Sequence, residues 1–111
     1  MKYDEAFLNA AHKRSIRHRP EIESSAVCGC FFCHETFAPS EIDEWTDDED
    51  VTALCARCGM DSVLGDLSGL PVTDPDFLRE MNYVFFQRST ERSLWSILID
   101  FLRPKARLSR A

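Results

Sequence analysis

Apolar residues first recur at helical spacing near the start of the chain. Phe7, Leu8 and Ala11 fall on one face and predict a helix over 4–17. Lys13, Arg14, Arg17 and His18 then sit where cations suit a helix C-terminus, and Pro20 helps to end the segment. From 26 to 58 the helical period disappears. Short extended pieces at 27–28, 35–37 and 51–54 alternate with turn material, and the polar, acidic run at 45–50 suits a solvent-exposed hairpin end. Met60, Val63 and Leu64 stand at i, i+3 and i+4 and predict a short helix over 56–64, with Gly65 as its C-cap. The stretch 65–71 reads as a loop by composition. Thr73 and Asp76 form a capping pair around Pro75 and predict a helix over 74–87, with Phe77, Leu78, Met81, Val84 and Phe85 on its apolar face. A last helix is expected over 90–102, turning Leu94, Trp95, Leu98, Phe101 and Leu102 inward, and 104–111 reads as a basic tail.

With 111 residues, 44% hydrophobic and 29% charged, the chain can bury one core, and a single domain over 1–103 is expected. The N-terminus has no apolar run of the kind a secretory signal carries. The apolar stretch 94–102 is too short to span a bilayer, so a cytoplasmic protein with no membrane association is expected. The net charge of −6 conceals an uneven distribution. Residues 1–20 carry five basic and two acidic side chains. Residues 21–76 carry Arg57 and fourteen acids, and residues 77–111 carry seven basic and three acidic side chains. A middle this acidic favours a basic protein partner and disfavours nucleic acid at the same surface. The alternative is a solvated face whose repulsion the basic ends offset.

Five cysteines change the picture most. Cys30-Phe-Phe-Cys33 and Cys55-Ala-Arg-Cys58 are two C-x2-C units separated by twenty-one residues. Two intervening residues let a tight turn, a knuckle, aim both sulfurs at one ion, and two knuckles complete a tetrahedral shell. In a reducing compartment such cysteines read as metal ligands rather than disulfides. One structural Zn2+ held by Cys30, Cys33, Cys55 and Cys58 is therefore expected. Cys28 is left over, as a small buried residue or, through the poorer C-x4-C spacing, as a replacement for Cys30. His34 completes a C-x-x-C-H match to a haem attachment signature, which the second C-x2-C makes accidental. The fold expected is α+β: a small zinc-stabilised module at 26–65, treble-clef-like if the second knuckle opens a helix, or a zinc ribbon if it lies on a hairpin. An N-terminal helix and two C-terminal helices flank it.

The residues Cys28-Gly-Cys-Phe-Phe-Cys33, Phe37-x-Pro-Ser-Glu-Ile-x-Glu-Trp45 and Thr52-Ala-Leu-Cys-x-x-Cys-Gly-Met-Asp-Ser-Val-Leu-Gly65 resemble a family of small bacterial cytoplasmic proteins. The likeness covers about 26–86 and implies a bacterial, cytoplasmic, metal-binding protein, with no established activity. Ala56 departs from the proline expected in the second knuckle, which affects stiffness rather than ligation. Leu54 to Cys58 also resembles the end of zinc-stabilised HNH endonucleases. Those enzymes need histidines around a catalytic ion, and none lies between Glu35 and Leu54, so no nuclease activity is expected.

Catalysis finds little support elsewhere. Asp61, Ser62, Asp66 and Ser68 with Gly65 and Gly69 form the one loop suited to a ligand, or simply a capped turn. The expectation is a non-enzymatic, acidic protein-interaction module, one concrete form being an immunity or antitoxin-type inhibitor. Trp45 would anchor it beside Asp47, Asp48, Glu49 and Asp50, unless Trp45 is instead a hydrophobic cover over the zinc hairpin. The first alternative is nucleic-acid binding through Lys13, Arg14, Arg17 and Arg19 with Arg103, Lys105, Arg107 and Arg110. The second is a rubredoxin-like iron site, disfavoured because His34 stands where the first knuckle would carry glycine.

Overall fold

The computed structural model describes residues 1–46 and 49–88. The expected helix at 90–102, the tail at 104–111, and Asp47 and Asp48 lie outside the described residues. Among those described, the chain forms helices α1 (Glu5–His12), α2 (Arg19–Ser24) and α3 (Pro75–Asn82). It also forms strands β1 (Cys28–Cys30), β2 (Thr36–Phe37), β3 (Trp45–Thr46), β4 (Thr52–Ala53) and β5 (Val63–Gly65). The class is α+β, and none of the described helices is long and apolar enough to cross a membrane.

β1 is the centre of a three-stranded antiparallel sheet of order β2-β1-β5, with Cys28 opposite both Phe37 and Gly65, and Cys30 opposite Val63. β3 and β4 pair as a separate hairpin, Trp45 opposite Ala53. Successive strand residues point to opposite faces, so β5 supplies two cores. Leu64 joins Leu8, Ala11, Phe31, Phe77, Leu78 and Met81, the side covered by α1 and α3. Val63 joins Ile22, Cys28, Cys30, Phe37, Ala53 and Cys55, the side that holds the cysteines. A glycine opens each face to close packing. A Cβ on Gly29 would lie 2.6 Å from the Val72 carbonyl oxygen, and one on Gly65 would run into the Ser25 side chain and within 3.2 Å of Ile22 Cδ1.

Three element boundaries differ from the sequence expectation. The helix expected over 4–17 ends as α1 at His12 and a 3-10 turn at Lys13–Ser15, and Pro20 opens α2 rather than closing the first helix. Proline's missing N–H and fixed φ suit a first helical turn. Tertiary hydrogen bonds pull the intervening chain onto the sheet: the Arg17 N–H donates to Thr52 Oγ1 at 2.7 Å and His18 Nε2 reaches the Val63 carbonyl at 2.7 Å.

No helix forms over 56–64. The chain turns at Cys55–Cys58 and enters β5, because β1 needs a second partner and Val63 and Leu64 each fill a core. Gly65 therefore ends a strand instead of capping a helix. The last difference is small. Asp74, not Thr73, caps α3, its carboxylate accepting the Asp76 N–H at 2.9 Å. α3 then runs on through a π-helical turn at Tyr83–Gln87, so 74–87 is helical almost throughout.

Candidate metal centre

The fold brings together the four cysteines of the two C-x2-C units. The Sγ atoms of Cys30, Cys33, Cys55 and Cys58 all lie within 4.8 Å of one another. Cys30 is 3.7 Å from Cys58, and Cys33 is 3.7 Å from Cys55. Around a tetrahedral zinc with bonds of about 2.3 Å, neighbouring sulfurs stand about 3.8 Å apart. Two of the sulfur pairs have that spacing, and the donor set fits a four-cysteine metal site.

The knuckles are built alike. In the first, the His34 N–H donates to the Cys30 carbonyl at 2.9 Å and the Cys30 N–H to the Glu35 carbonyl at 3.0 Å. In the second, the Gly59 N–H donates to the Cys55 carbonyl at 3.0 Å and the Cys55 N–H to the Met60 carbonyl at 2.8 Å. Each leading sulfur accepts an N–H from two residues on, Phe32 to Cys30 and Arg57 to Cys55, both at 3.3 Å. The residue after each second cysteine is left-handed, His34 at φ 70° and Gly59 at φ 82°. His34 thus adopts the backbone that glycine supplies in the other knuckle, and its side chain is exposed. The missing glycine does not count against iron.

Without a cation the clustered thiols do not ionise alike. Burial pushes the Cys33 thiol up to about 11 and raises the Cys30 thiol as well. At Cys55 burial acts the same way, but N–H donors from Cys58 and Arg57 overcome it and the thiol titrates below its ordinary value. Four sulfurs in contact become thiolates together only when a cation balances their charge.

Two residues that spacing alone did not single out complete the surroundings. Ser62 is buried, with Oγ 3.0 Å from Cys30 Sγ, where its hydroxyl donates once the sulfur is a thiolate. Asn82 Nδ2 donates to the Phe31 and Phe32 carbonyls at 3.0 Å each, so α3 grips the first knuckle from behind. Nothing short of the fold marks Asn82, since it lies some fifty residues away in sequence.

Cys28 faces the same core but is not among the clustered sulfurs. It is fully buried, and burial followed by the nearby Asp66 carboxylate pushes its thiol up to about 12. The stretch expected to hold a ligand is instead strand β5 followed by a 3-10 turn at Asp66–Ser68, and its polar groups bond within the fold. Asp66 Oδ1 accepts the N–H groups of Ala26 and Val27, and Ser68 Oγ donates to the Gly65 carbonyl.

Trp45 is half-buried against the cysteine core, and the Arg19 guanidinium lies 4.3 Å over its ring. Arg19 also donates to the Asp50 carbonyl at 2.9 Å, stapling the β3–β4 hairpin to α2. Asp43, Glu44, Thr46, Asp50 and Leu54 join Trp45 and Arg19 around an open groove of about 380 Å³. Glu49 and Asp50 are exposed. No protein-family model, curated protein or solved structure matches this chain.

Proposed function

We propose that this chain is a cytoplasmic structural-zinc protein without catalytic activity, whose acidic hairpin surface docks on a basic protein partner. Zinc accepts a four-thiolate shell with no geometric or redox demand, and four protein ligands leave no position for an activated water. Both knuckles feed strands, Cys30–Cys33 into β2 and Cys55–Cys58 into β5, which supports a ribbon-type module over the treble-clef form.

The observation that carries the interaction reading is how the charges are spent. Arg14 pairs with Glu21, Arg19 with Glu23, Arg57 with Glu41 and Lys2 with Asp74. Asp43, Glu44, Glu49 and Asp50 make no ion pair among the described residues. Among the described residues most basic side chains are ion-paired, while the acids around Trp45 are exposed. A basic protein would meet complementary potential and a half-buried aromatic there. An immunity or antitoxin-type inhibitor covering the cationic site of a toxin is the concrete form of this reading.

Binding to nucleic acid is the second reading. An open groove of about 300 Å³ lined by Lys13, Arg14, Arg17 and Ile16 favours it, and neither Lys13 nor Arg17 is ion-paired among the described residues. A rubredoxin-like iron site would share the same sulfurs. One pull-down with the full chain, at low and moderate salt, separates the three. The proposal predicts a colourless eluate with a stoichiometric basic protein that is lost when Asp43, Glu44, Glu49 and Asp50 are reversed to lysine. Co-purifying RNA or DNA that nuclease removes would support the second reading, and a coloured, iron-bearing protein the third.

A further inference from the structure

The four clustered sulfurs share one chemistry but not one environment. Cys30 is 0% exposed, accepts the Phe32 N–H at 3.3 Å, and has Ser62 Oγ at 3.0 Å. Cys55 is 5% exposed and accepts N–H groups from Arg57 at 3.3 Å and Cys58 at 3.4 Å. Cys33 is half-buried beside it. Cys58 is the exposed member, and among the described residues no nitrogen or oxygen donor reaches its sulfur. Hydrogen bonds to a thiolate withdraw charge from it and burial blocks approach, so both effects direct attack to the same atom.

We propose that Cys58 is the modification site of the centre: the sulfur that a soft electrophile or a peroxide attacks first, with oxidation closing a disulfide onto Cys30. The inference rests on the metal-centre reading and adds an order of reactivity to it. With a peroxide, the Cys58 sulfur pair attacks one oxygen, the O–O bond breaks, and hydroxide leaves a sulfenic acid behind. The Cys30 thiolate, 3.7 Å away, then attacks that sulfur. An S–S bond forms, the S–O bond breaks, and a second hydroxide leaves. Two thiolates supply the two electrons the peroxide takes up. The chain thereby loses two of its four ligands at once, and the metal is released. Cys33 and Cys55 lie equally close to each other, at 3.7 Å, but attack there must begin at a less open sulfur.

The sequence makes this readable. Tryptic cleavage after Arg57 leaves Cys58 alone in peptide 58–79, whereas Pro20 blocks cleavage after Arg19 and keeps the other four cysteines in peptide 18–57. Metal-loaded full chain is treated with sub-stoichiometric iodoacetamide, denatured, fully alkylated with the heavy reagent, digested and weighed. First-pass label in 58–79 should exceed that in 18–57 by roughly tenfold. In a parallel arm with limiting hydrogen peroxide, metal release measured by a chromophoric chelator should track a disulfide joining the two peptides, which fragmentation places at Cys30–Cys58. First-pass label chiefly in 18–57, or a disulfide confined to 18–57, overturns the inference while leaving the metal centre standing. Purified protein that holds no metal overturns both.

Discussion

Asn82 Nδ2 donates to the carbonyls of both Phe31 and Phe32, and Gln87 Nε2 donates to Asn82 Oδ1 at 2.6 Å. The amide is thus oriented from the π-helical turn and clamps the two residues between Cys30 and Cys33. The cysteine module has no α-helix of its own among the described residues, and its first knuckle is held in place by α3. Asn82→Ala should destabilise the metal-loaded protein by about 1–3 kcal/mol in a denaturant titration, because a buried and a part-buried carbonyl lose a shared donor. Competition with a chelator should show weaker metal binding in the same variant. Gln87→Ala should act in the same direction with a smaller effect.

The two knuckles differ in how they meet the same backbone demand. Gly59 at φ 82° is unstrained, whereas His34 at φ 70° carries a Cβ in the left-handed region. Gly59→Ala should therefore cost about 1–2 kcal/mol of stability, although nothing lies within 4 Å of the new Cβ. His34→Gly should retain the metal and lose no stability. Equilibrium unfolding of the two variants beside the parent chain measures both effects.

The N-terminal residues fasten onto the start of α3. Lys2 Nζ donates to Asp74 Oδ2 at 2.8 Å and Tyr3 Oη donates to it at 2.5 Å, and these bonds, Lys2 first, hold the Asp74 carboxyl down to about 2 from its usual 3.8. A carboxyl depressed on folding stabilises the folded state above its unfolded value, and that stability is lost as pH falls through the window from 3.8 to about 2. Asp74→Asn keeps a good helix cap but removes the charge. Its melting temperature should lie below that of the parent at neutral pH, and the gap should close as the pH is lowered through that window. A gap independent of pH would show that the cap alone matters.

The chain's spacing shows the metal centre almost completely and the fold only in outline. The clustering of the four cysteines follows from C-x2-C geometry, which is local to each turn. The hairpin at 45–53 is legible for the same local reason. Val63 and Leu64 are different. Their position after Met60 mimics a helix, and only the partner strand β1 selects the extended form. Pro20 is read as a stop, whereas it opens α2, and the hydrogen bonds from Arg17 and His18 to residues over thirty positions away hold the break before it. Asn82 is invisible in the sequence, and Ser62 shows there only as part of a candidate ligand loop, because their roles depend on contacts with the first knuckle that chain order does not encode. Trp45 is read as either an anchor or a cover; it packs half-buried against the cysteine core, with the Arg19 guanidinium over its ring.

Metal content and X-ray absorption on the purified full chain, with the Cys28→Ala variant alongside, test the central claim most directly. The account predicts one zinc per chain bound by four sulfurs at about 2.3 Å, unchanged in Cys28→Ala. Absence of metal, a nitrogen or oxygen in the shell, or loss of a sulfur in Cys28→Ala would contradict it.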